Sequence, residues 1–337
     1  MNYNAAMEIV AEIGSVHDGS FGNALHLIDT ANSVGATIVK FQHHLASAEM
    51  TPNAPAPSYF NFENRFEYFE RISFTDLQWK RLIAHCKDAG VKFGCSVFSF
   101  ESLHKMIDFD IDALKIPSGE LSNTPLLELI AETMEGSKTQ VFLSTGMSDW
   151  KEIESAFETL KHLNLSLFQC TSLYPTSPEK IGLNVIGEML EKFQVPVGLS
   201  DHSKGTELAI AAVALGASLI EKHLTFSRQM YGSDAFNALE PEEFKTMSRQ
   251  INNVRAAIQN PVDKNNLEDL MEMRQIFQKG IYLKIDLKNG ETIKMEDLAF
   301  LKPDVAIPSS MHRVVIGKSL NKNKVAGSIL TWSDLEE

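Results

Sequence analysis

Short apolar runs alternate with amphipathic stretches along most of the chain. The eight runs lie at 7–14, 37–42, 91–98, 112–118, 139–146, 165–172, 195–201 and 218–223. Most are separated by segments with helical periodicity, such as 75–90, 148–163 and 203–217. The runs have the length of buried strands, they are bounded by Gly, Pro, Ser or Asn, and the segments between them are long enough for helices. The pattern therefore predicts consecutive βα units.

Eight βα units within about 250 residues indicate a closed parallel (β/α)8 barrel, the TIM-barrel fold. A doubly wound open sheet is the alternative, but no G-x-G-x-x-G sequence follows the first strand. From about residue 278 the pattern changes to short alternating strands and tight turns such as Lys288-Asn289-Gly290. We predict a barrel domain at 1–258, a helical linker at 259–277 and a small β-rich domain at 278–337.

Composition narrows the class of protein. Of the 337 residues 44% are apolar, and the net charge of −13 argues against a nucleic-acid-binding surface. The three cysteines are odd in number and show no C-x-x-C spacing, so they indicate reduced core residues and no zinc site. The N-terminal stretch lacks the features of a signal peptide, and "LAIAAVALGASLI" is too short to span a bilayer. We expect a cytoplasmic protein with no membrane partner.

Each predicted strand ends in polar residues, and in a (β/α)8 barrel these ends meet at one mouth. These residues are Glu12, Lys40, Gln42, Ser96, Lys115, Ser118, Glu120, Ser144, Ser172, Tyr174, Ser200, His202 and His223. A single serine there would be read as a helix cap, but eight polar strand ends together predict an active site. Lys40 and Lys115 follow apolar residues, where a lysine needs a counter-charge or an anionic ligand.

His202 and His223 end successive strands, so their rings could approach a common point. Two imidazoles with open positions make a site for a divalent metal such as Mn²⁺, Mg²⁺ or Zn²⁺. Two lysines with serine and backbone donors indicate a phosphate-bearing substrate. A barrel with metal and phosphate could be an aldolase, a phosphosugar isomerase or a phosphoenolpyruvate (PEP) condensing enzyme, and the residues themselves leave this choice open.

Seven motifs in order resemble the sialic acid (nonulosonate) synthase family, which includes N-acetylneuraminate, legionaminate and pseudaminate synthases. They are "AEIGSVHDGS" (11–20), "IVKFQ" (38–42), "LKIPSGEL" (114–121), "LSTGMSD" (143–149), "CTSLYPT" (170–176), "GLSDHSKG" (198–205) and "IEKHLTF" (220–226). The C-terminal part resembles the antifreeze-like (SAF) domain of that family, with "VIGKSL" as its clearest motif.

The resemblance implies condensation of PEP with an open-chain mannosamine-type sugar, giving a nine-carbon 2-keto acid and phosphate. It implies a divalent metal, Mn²⁺ before Mg²⁺ or Co²⁺, on His202 and His223, and Glu12 and Glu120 as further catalytic residues. The implied PEP-binding residues are Lys40, Ser96, Lys115, Ser118, Ser144, Ser172 and Ser200. The implied sugar-binding residues are Gln42, Asn53, Tyr174, Asp234 and Lys302. A homodimer is also implied, in which each SAF domain reaches the barrel of the other subunit.

The sequence departs from the family pattern at four positions. Ser96 and Ser172 stand where the family commonly has Thr and Asn, and Ala235 where it often has His. Lys302, in "LKPDVAIPSS", replaces an arginine of the SAF domain, and lysine cannot form the bidentate contacts of a guanidinium group. The departures predict an acceptor that differs from N-acetylmannosamine, in its substituents at C4 to C6.

Three other interpretations remain. Another PEP-dependent sugar-acid synthase would use a phosphorylated acceptor and require an extra basic cluster, which the sequence does not show. A metal-free aldolase with a Schiff base on Lys115 would leave the two histidines without a task. A non-catalytic sugar-binding relative should have lost Lys40, Lys115 or one of those histidines, and all are present.

Overall fold

A computed structural model describes residues 6–60 and 63–336. The first five residues of the predicted barrel domain, residues 61–62, and the last residue of the predicted β-rich domain lie outside the described residues. The chain forms two compact units, of which the first ends at Pro261 and the second begins at Val262. The last helix of the first unit, Pro241–Gln259, ends at the start of the predicted linker, and a short helix of the second unit, Met271–Phe277, lies within that linker.

Eight parallel strands form a closed barrel, because β1 pairs with both β2 and β8. The strands are β1 Glu8–Gly14, β2 Ile38–His43, β3 Lys92–Val97, β4 Ala113–Ile116, β5 Gln140–Ser144, β6 Leu165–Cys170, β7 Val197–Ser200 and β8 Leu219–His223. Each one lies within or overlaps a run predicted from the apolar pattern. The predicted (β/α)8 barrel is therefore confirmed.

Helices surround the barrel. They are α1 Phe21–Ser33, α2 Ala46–Glu49, α3 Arg65–Ile72, α4 Asp76–Ala89, α5 Phe100–Asp108, α6 Thr124–Thr133, α7 Trp150–Leu160, α8 Leu183–Phe193, α9 Glu207–Ala214 and α10 Pro241–Gln259. Local sequence sets their starts: Thr75 with Gln78, and Asp149 with Glu152, form capping boxes that satisfy the first backbone N–H groups of α4 and α7. No helix within the described residues is long and apolar enough to cross a membrane.

Alternation along the strands builds two layers inside the barrel, since successive side chains of a strand point to opposite faces. The lower layer is apolar and consists of Val10, Ile38, Ala113, Phe142, Phe168 and Leu219. Two residues further along the strands, toward their carboxyl ends, lies a second layer that is polar and buried. It contains Glu12, Lys40, Ser96, Lys115, Ser144, Ser200 and Glu221. The intervening residues pack outward against the helices. The apolar layer closes the barrel beneath the polar one, which places the chemistry at the carboxyl ends.

The second unit has its own small core. Strands β9 Gly280–Leu283 and β10 Leu298–Leu301 pair antiparallel, and the short helices α11 Met271–Phe277 and α12 His312–Val315 accompany them. Its core includes Ile281, Leu283, Ile293, Leu320 and Leu330. The antiparallel pair and the short elements around it agree with the small β-rich domain that the sequence predicts after the barrel.

Candidate active site

Two lysines and two glutamates form an ion network inside the barrel. The Lys40 ammonium lies 2.5 Å from Glu12 Oε2 and donates to Ser96 Oγ at 2.9 Å. The Lys115 ammonium lies 3.2 Å from Glu221 Oε2, and the same oxygen is 3.8 Å from Lys40. All four side chains are almost fully buried. The sequence predicts that lysines buried at these strand ends need counter-charges, and Glu12 and Glu221 provide them.

Glu221 is the member of this network that the sequence analysis missed. It accepts a hydrogen bond from Ser200 Oγ at 2.8 Å in addition to its contacts with the two lysines. A signal was present, because Glu221 precedes His223 by two positions on the same strand. Residues two apart on a strand share a face, so a His223 that points into the barrel places Glu221 there as well.

The two lysines differ in their electrostatic balance. Burial opposes the charge on Lys40, but Glu12 and Glu221 outweigh burial and raise its pKa. Burial lowers the pKa of Lys115, attraction to Glu221 offsets only part of this, and repulsion from Lys40 adds to the lowering. The Lys115 ammonium also lies 3.6 Å from the centroid of the Phe168 ring, a cation–π contact. Lys115 is therefore the less satisfied cation of the two and the better placed to gain from an anionic ligand.

Serines extend around the network. Ser144 is buried at the end of β5, and Ser118 Oγ lies 2.8 Å from Ser172 Oγ. A Cβ atom at Gly146 would come within 2.4 Å of Ser172 Oγ, so this position requires glycine for the close approach. The structure thus gathers hydroxyl groups from several strand ends at the mouth, as the sequence predicted for an anion site.

The two predicted metal ligands lie side by side. The ring centroids of His202 and His223 are 6.1 Å apart. The Nδ1–H of His202 donates to the Thr171 carbonyl at 3.0 Å, which leaves the Nε2 lone pair available. Burial and the neighbouring His223 lower the pKa of His202 to about 4, so its ring is neutral at neutral pH. His223 Nδ1 is buried and has no hydrogen-bond partner.

This donor set fits a metal held by few protein ligands. Among residues 6–60 and 63–336, no group of three His, Cys, Asp or Glu side chains forms a metal cluster. The neutral His202 and the orphaned nitrogen of His223 would supply two ligands, and oxygen atoms of water or substrate would complete the shell. Such an incomplete set matches a catalytic site, which keeps positions open, rather than a structural one.

The predicted sugar-binding residues fall into two groups. Tyr174 packs on His202 with ring centroids 4.2 Å apart, and Gln42 donates to Glu12. Asp234 Oδ2 accepts hydrogen bonds from the Ser15 backbone N–H and from Ser15 Oγ, both at 2.8 Å. Burial opposes the charge on Asp234, but His223 and these hydrogen bonds outweigh burial and lower the pKa of Asp234. These three residues border the polar layer.

Close approach also explains a glycine beside Asp234. A Cβ atom at Gly14 would meet Asp234 Oδ2 at 2.4 Å, and Gly14 has a φ of +52°. Both the space and the left-handed backbone therefore call for glycine at the end of β1.

The remaining predicted residues lie in different surroundings. Glu120 is half-buried in a 3-10 turn after β4, where burial raises its pKa although Asn123 donates to it. Asn53 is exposed in the turn that follows α2. Lys302 is exposed in the second unit, with its ammonium 5.1 Å from the Phe277 ring centroid. The roles predicted for Asn53 and Lys302 stay predictions.

Comparison with known proteins places this site in a family. The NeuB family profile matches residues 27–263, and the SAF domain profile matches residues 278–336. The chain is 32% identical over 325 residues to the N,N'-diacetyllegionaminic acid synthase of Campylobacter jejuni, covering 94% of this chain and 96% of the relative. It is 30% identical to the enzyme of the same name from Legionella pneumophila, covering 97% and 94%.

A solved structure agrees with this assignment. The N-acetylneuraminic acid (sialic acid) synthetase of Leptospira borgpetersenii superimposes with a TM-score of 0.70 at 28% sequence identity, covering 80% of this chain and 92% of that one. The family match spans most of the chain, and it includes the strand ends that carry the lysines and the histidines. The chain belongs to the NeuB family and has a SAF domain at its C-terminal end.

Proposed function

We propose that this protein condenses PEP with an open-chain amino sugar and releases phosphate and a nine-carbon 2-keto sugar acid. Its relatives are named as nonulosonic acid synthases, and the chain is an enzyme of that class. The observation that carries the proposal is the buried network of Lys40, Lys115, Glu12 and Glu221 at the same barrel mouth as the two neighbouring histidines.

PEP is an anion with a carboxylate and a phosphate, and the network offers two ammonium groups with surrounding hydroxyls. Lys40 and Lys115 bind these groups, with Ser96, Ser144 and Ser200 as further donors. Glu12 and Glu221 neutralise the two lysines in the free protein, so the protein's own charges at this site sum to about zero. An additional cation is therefore needed before a multiply charged substrate is balanced.

A divalent metal on His202 and His223 supplies that charge. Mn²⁺ is the preferred ion in the proposal, with Mg²⁺ and Co²⁺ as substitutes, because a site with open, oxygen-filled positions suits all three. When bound, the metal acts as a Lewis acid that polarises the sugar aldehyde. The chain itself contributes the neutral His202 ring, which its own Thr171 hydrogen bond orients.

The chain's residues then handle protons and charge. C3 of PEP attacks the aldehyde carbon, the aldehyde oxygen gains a proton, and C2 of the former PEP becomes cationic. Water adds at C2 and loses a proton to Glu12, whose carboxyl group pairs with Lys40. Glu120, whose pKa burial raises, is the donor to the sugar oxygen. The resulting phosphate hemiketal breaks the C–O bond to phosphate, the proton of the C2 hydroxyl group passes to the departing phosphate, and the C2 ketone forms.

The acceptor we propose carries acetamido groups at both C2 and C4. Two relatives that match along most of the chain are both named for N,N'-diacetyllegionaminic acid, a product with two N-acetyl groups. Lys302 and Ala235 also stand at positions where this sequence departs from the family pattern. The positions Lys302 and Ala235 are consistent with a changed acceptor, while Lys40 and Lys115 of the PEP site are retained.

Phosphate release from PEP tests reaction and acceptor together. The assay uses N-acetylmannosamine and a panel of 2,4-diacetamido-6-deoxyhexoses, each with Mn²⁺ and with EDTA. We expect release with one diacetamido sugar and Mn²⁺, and none with EDTA. Equal or faster turnover of N-acetylmannosamine would reject the proposed acceptor. Failure to bind PEP would reject the synthase itself.

A Schiff base on Lys115 is the second candidate chemistry, because its lowered pKa favours the neutral, nucleophilic amine. Borohydride treatment in the presence of pyruvate, whose ketone can form the imine, decides between the two. The condensing reaction predicts that activity survives and that the mass of the chain is unchanged. An adduct on Lys115 that needs no metal would support the aldolase.

We further propose a homodimer in which the SAF domain of one subunit serves the barrel of the other. The segment around α11 exposes large apolar side chains, which a second copy would cover: Leu270, Met271, Met273, Ile276 and Phe277. Light scattering should give a dimer mass. Co-expression of Lys115→Met and Lys302→Met subunits tests the exchange, since only swapped domains rebuild one intact site in the mixed dimer. Activity no higher than in either variant alone would contradict it.

A further inference from the structure

A chain of hydrogen bonds leads from Glu12 at the active site to Glu49 at the end of α2. Gln42 Nε2 donates to Glu12 Oε1 at 2.6 Å. Gln42 Oε1 lies 2.9 Å from His44 Nε2, and His44 Nδ1 lies 2.8 Å from Glu49 Oε1. The side chains of His44 and Glu49 are only 6% and 5% exposed. His44 and Glu49 have no part in the mechanism described above, so their burial in this chain calls for an explanation.

The direction of each hydrogen bond follows from the groups at the two ends. The carboxylate of Glu12 can only accept, so the Gln42 NH2 group must face it and the Gln42 carbonyl must face His44. His44 Nε2 therefore carries a hydrogen and donates. His44 Nδ1 faces the carboxylate of Glu49 and donates as well. A reversed Gln42 amide would bring its oxygen against Glu12, which repels it.

Packing holds the donating ring in place. The His44 ring stacks on Phe69 with centroids 3.7 Å apart and on Phe98 at 4.2 Å, with interplanar angles of 21° in both cases. The two aromatic side chains cover the faces of the ring, and Glu49 Oε1 contacts its Nδ1 edge. The stacking contacts fix the position of the ring, and the hydrogen bonds direct its Nε2–H toward the carbonyl of Gln42.

We propose that His44 and Glu49 are positioning residues for Glu12, acting through the orientation of the Gln42 amide. The arrangement holds Glu12 Oε1 with a hydrogen bond while Oε2 pairs with Lys40. The importance for turnover rests on the proposed function, in which Glu12 accepts a proton from water. The hydrogen-bond direction itself does not rest on that function.

Substitutions of His44 separate donation from packing. His44→Phe keeps an aromatic ring between Phe69 and Phe98 but cannot donate to Gln42. His44→Gln loses the stack but keeps an N–H near the position of Nε2. Positioning predicts that kcat falls by about 10- to 100-fold in His44→Phe and less in His44→Gln. A purely structural role predicts the reverse order, with the glutamine variant the more damaged.

The matched control is the adjacent residue, His43→Phe. His43 points to the other side of β2, where its Nδ1 lies 2.8 Å from Ser102 Oγ and its ring packs on Trp79. We expect its kcat to stay within about twofold of the wild type once both proteins are shown to be folded. The KM for PEP should change by less than about threefold in all variants, because the lysines that bind PEP are untouched. Equal kcat in His44→Phe and wild type would overturn the proposal.

A second measurement does not depend on turnover. The full chain labelled with ¹⁵N-histidine should show a hydrogen on Nε2 of His44, with the signals assigned by their loss in His44→Phe. An unprotonated Nε2 would overturn the positioning proposal whatever the activity. If the NMR pattern is as expected but no sugar supports phosphate release, the proposed function fails while the hydrogen-bond chain stands.

Discussion

Consecutive residues of β8 belong to two different buried ion networks. Glu221 faces the barrel interior, where it meets Lys115, Lys40 and Ser200. Lys222 faces outward, and its ammonium binds Asp201 Oδ2 at 2.8 Å and the Ser203 carbonyl at 2.6 Å. The side chains of Asp201 and Lys222 are 0% exposed. Both networks are buried and balanced in charge, yet their surroundings differ.

The outer pair, Asp201 and Lys222, compensates its charges entirely within the protein. The inner network of Glu12, Lys40, Lys115 and Glu221 lies at the barrel mouth, where a ligand can bind. Outside, one carboxylate serves one ammonium, and Asp201 Oδ1 also accepts from the Ser203 N–H at 2.8 Å. Inside, Glu221 is shared between two lysines, and the pKa of Lys115 is lowered by burial and by Lys40. The outer pair joins the residues next to His202 and His223 and therefore stabilises shape. The inner network keeps a cation short of partners, which costs stability and favours an anionic ligand.

Removing Lys222 should have the largest effect on stability. Lys222→Met leaves the Asp201 carboxylate buried without a counter-charge, and we expect a loss of about 3–5 kcal/mol in the free energy of unfolding. The double variant Asp201→Asn/Lys222→Met removes both charges, keeps an acceptor for Ser203 N–H and should recover most of that loss. Urea unfolding measures all three proteins. If the free energy of unfolding of Lys222→Met lies within about 1 kcal/mol of the wild-type value, Asp201 does not depend on Lys222 for its counter-charge.

Lys115→Met should show the opposite combination. We expect kcat/KM for PEP to fall by about 10²–10³-fold, because a charged donor to the anion is lost. The free energy of unfolding should change by less than about 1 kcal/mol, since burial disfavours the protonated Lys115 in the folded state and Glu221 keeps Lys40 as a partner. Steady-state phosphate release and urea unfolding on the same preparation test both halves. A clear loss of stability would show that Lys115 is as well satisfied as Lys222.

The fold was largely predictable because burial leaves a regular trace in the sequence. Strands buried on both faces appear as continuous apolar runs, and amphipathic helices separate them. The polar strand ends were predictable for the same reason. Glu221 was missed because only the last polar residue of its strand was considered, although alternation places Glu221 and His223 on one face.

Other parts of the site depend on contacts that no local pattern encodes. Glu49 reaches His44 through a short helix whose position depends on the loop before it, and the stack of His44 on Phe98 joins residues from two strand ends. The conformation of a loop follows from packing across the barrel mouth, so a residue pair such as His44 and Glu49 appears only in three dimensions. The sequence pattern therefore gave His44 no role in the predicted site.

Glu221→Gln should have a smaller effect than the two lysine variants, and it should change both the affinity for anions and the pH dependence of stability. Removing a negative charge next to Lys115 and Lys40 should tighten binding of PEP and of inorganic phosphate by about three- to tenfold, because the lysines lose a competing carboxylate. The amide can still accept from Lys115 and meet Ser200, so the shape of the layer is kept. Calorimetric titration with PEP measures the change, and weaker binding would show that Glu221 organises the lysines more than it competes for them.

Glu221→Gln should also change how the free energy of unfolding depends on pH in the acidic range. Burial opposes the charge on Glu221, but Lys115 and Lys40 outweigh burial and lower its pKa from 4.5 to about 2. Its ion pairs therefore stabilise the fold fully above pH 4.5 and are lost as the pH falls from 4.5 toward 2. Glu221→Gln lacks that contribution at every pH, so its free energy of unfolding should fall less steeply within this window. Glu154→Gln, which removes an exposed partner of Lys192, is the control and should keep the wild-type slope. Parallel curves for all three proteins would mean that the carboxylate shared by the two lysines gives the inner network no more stability than a surface pair.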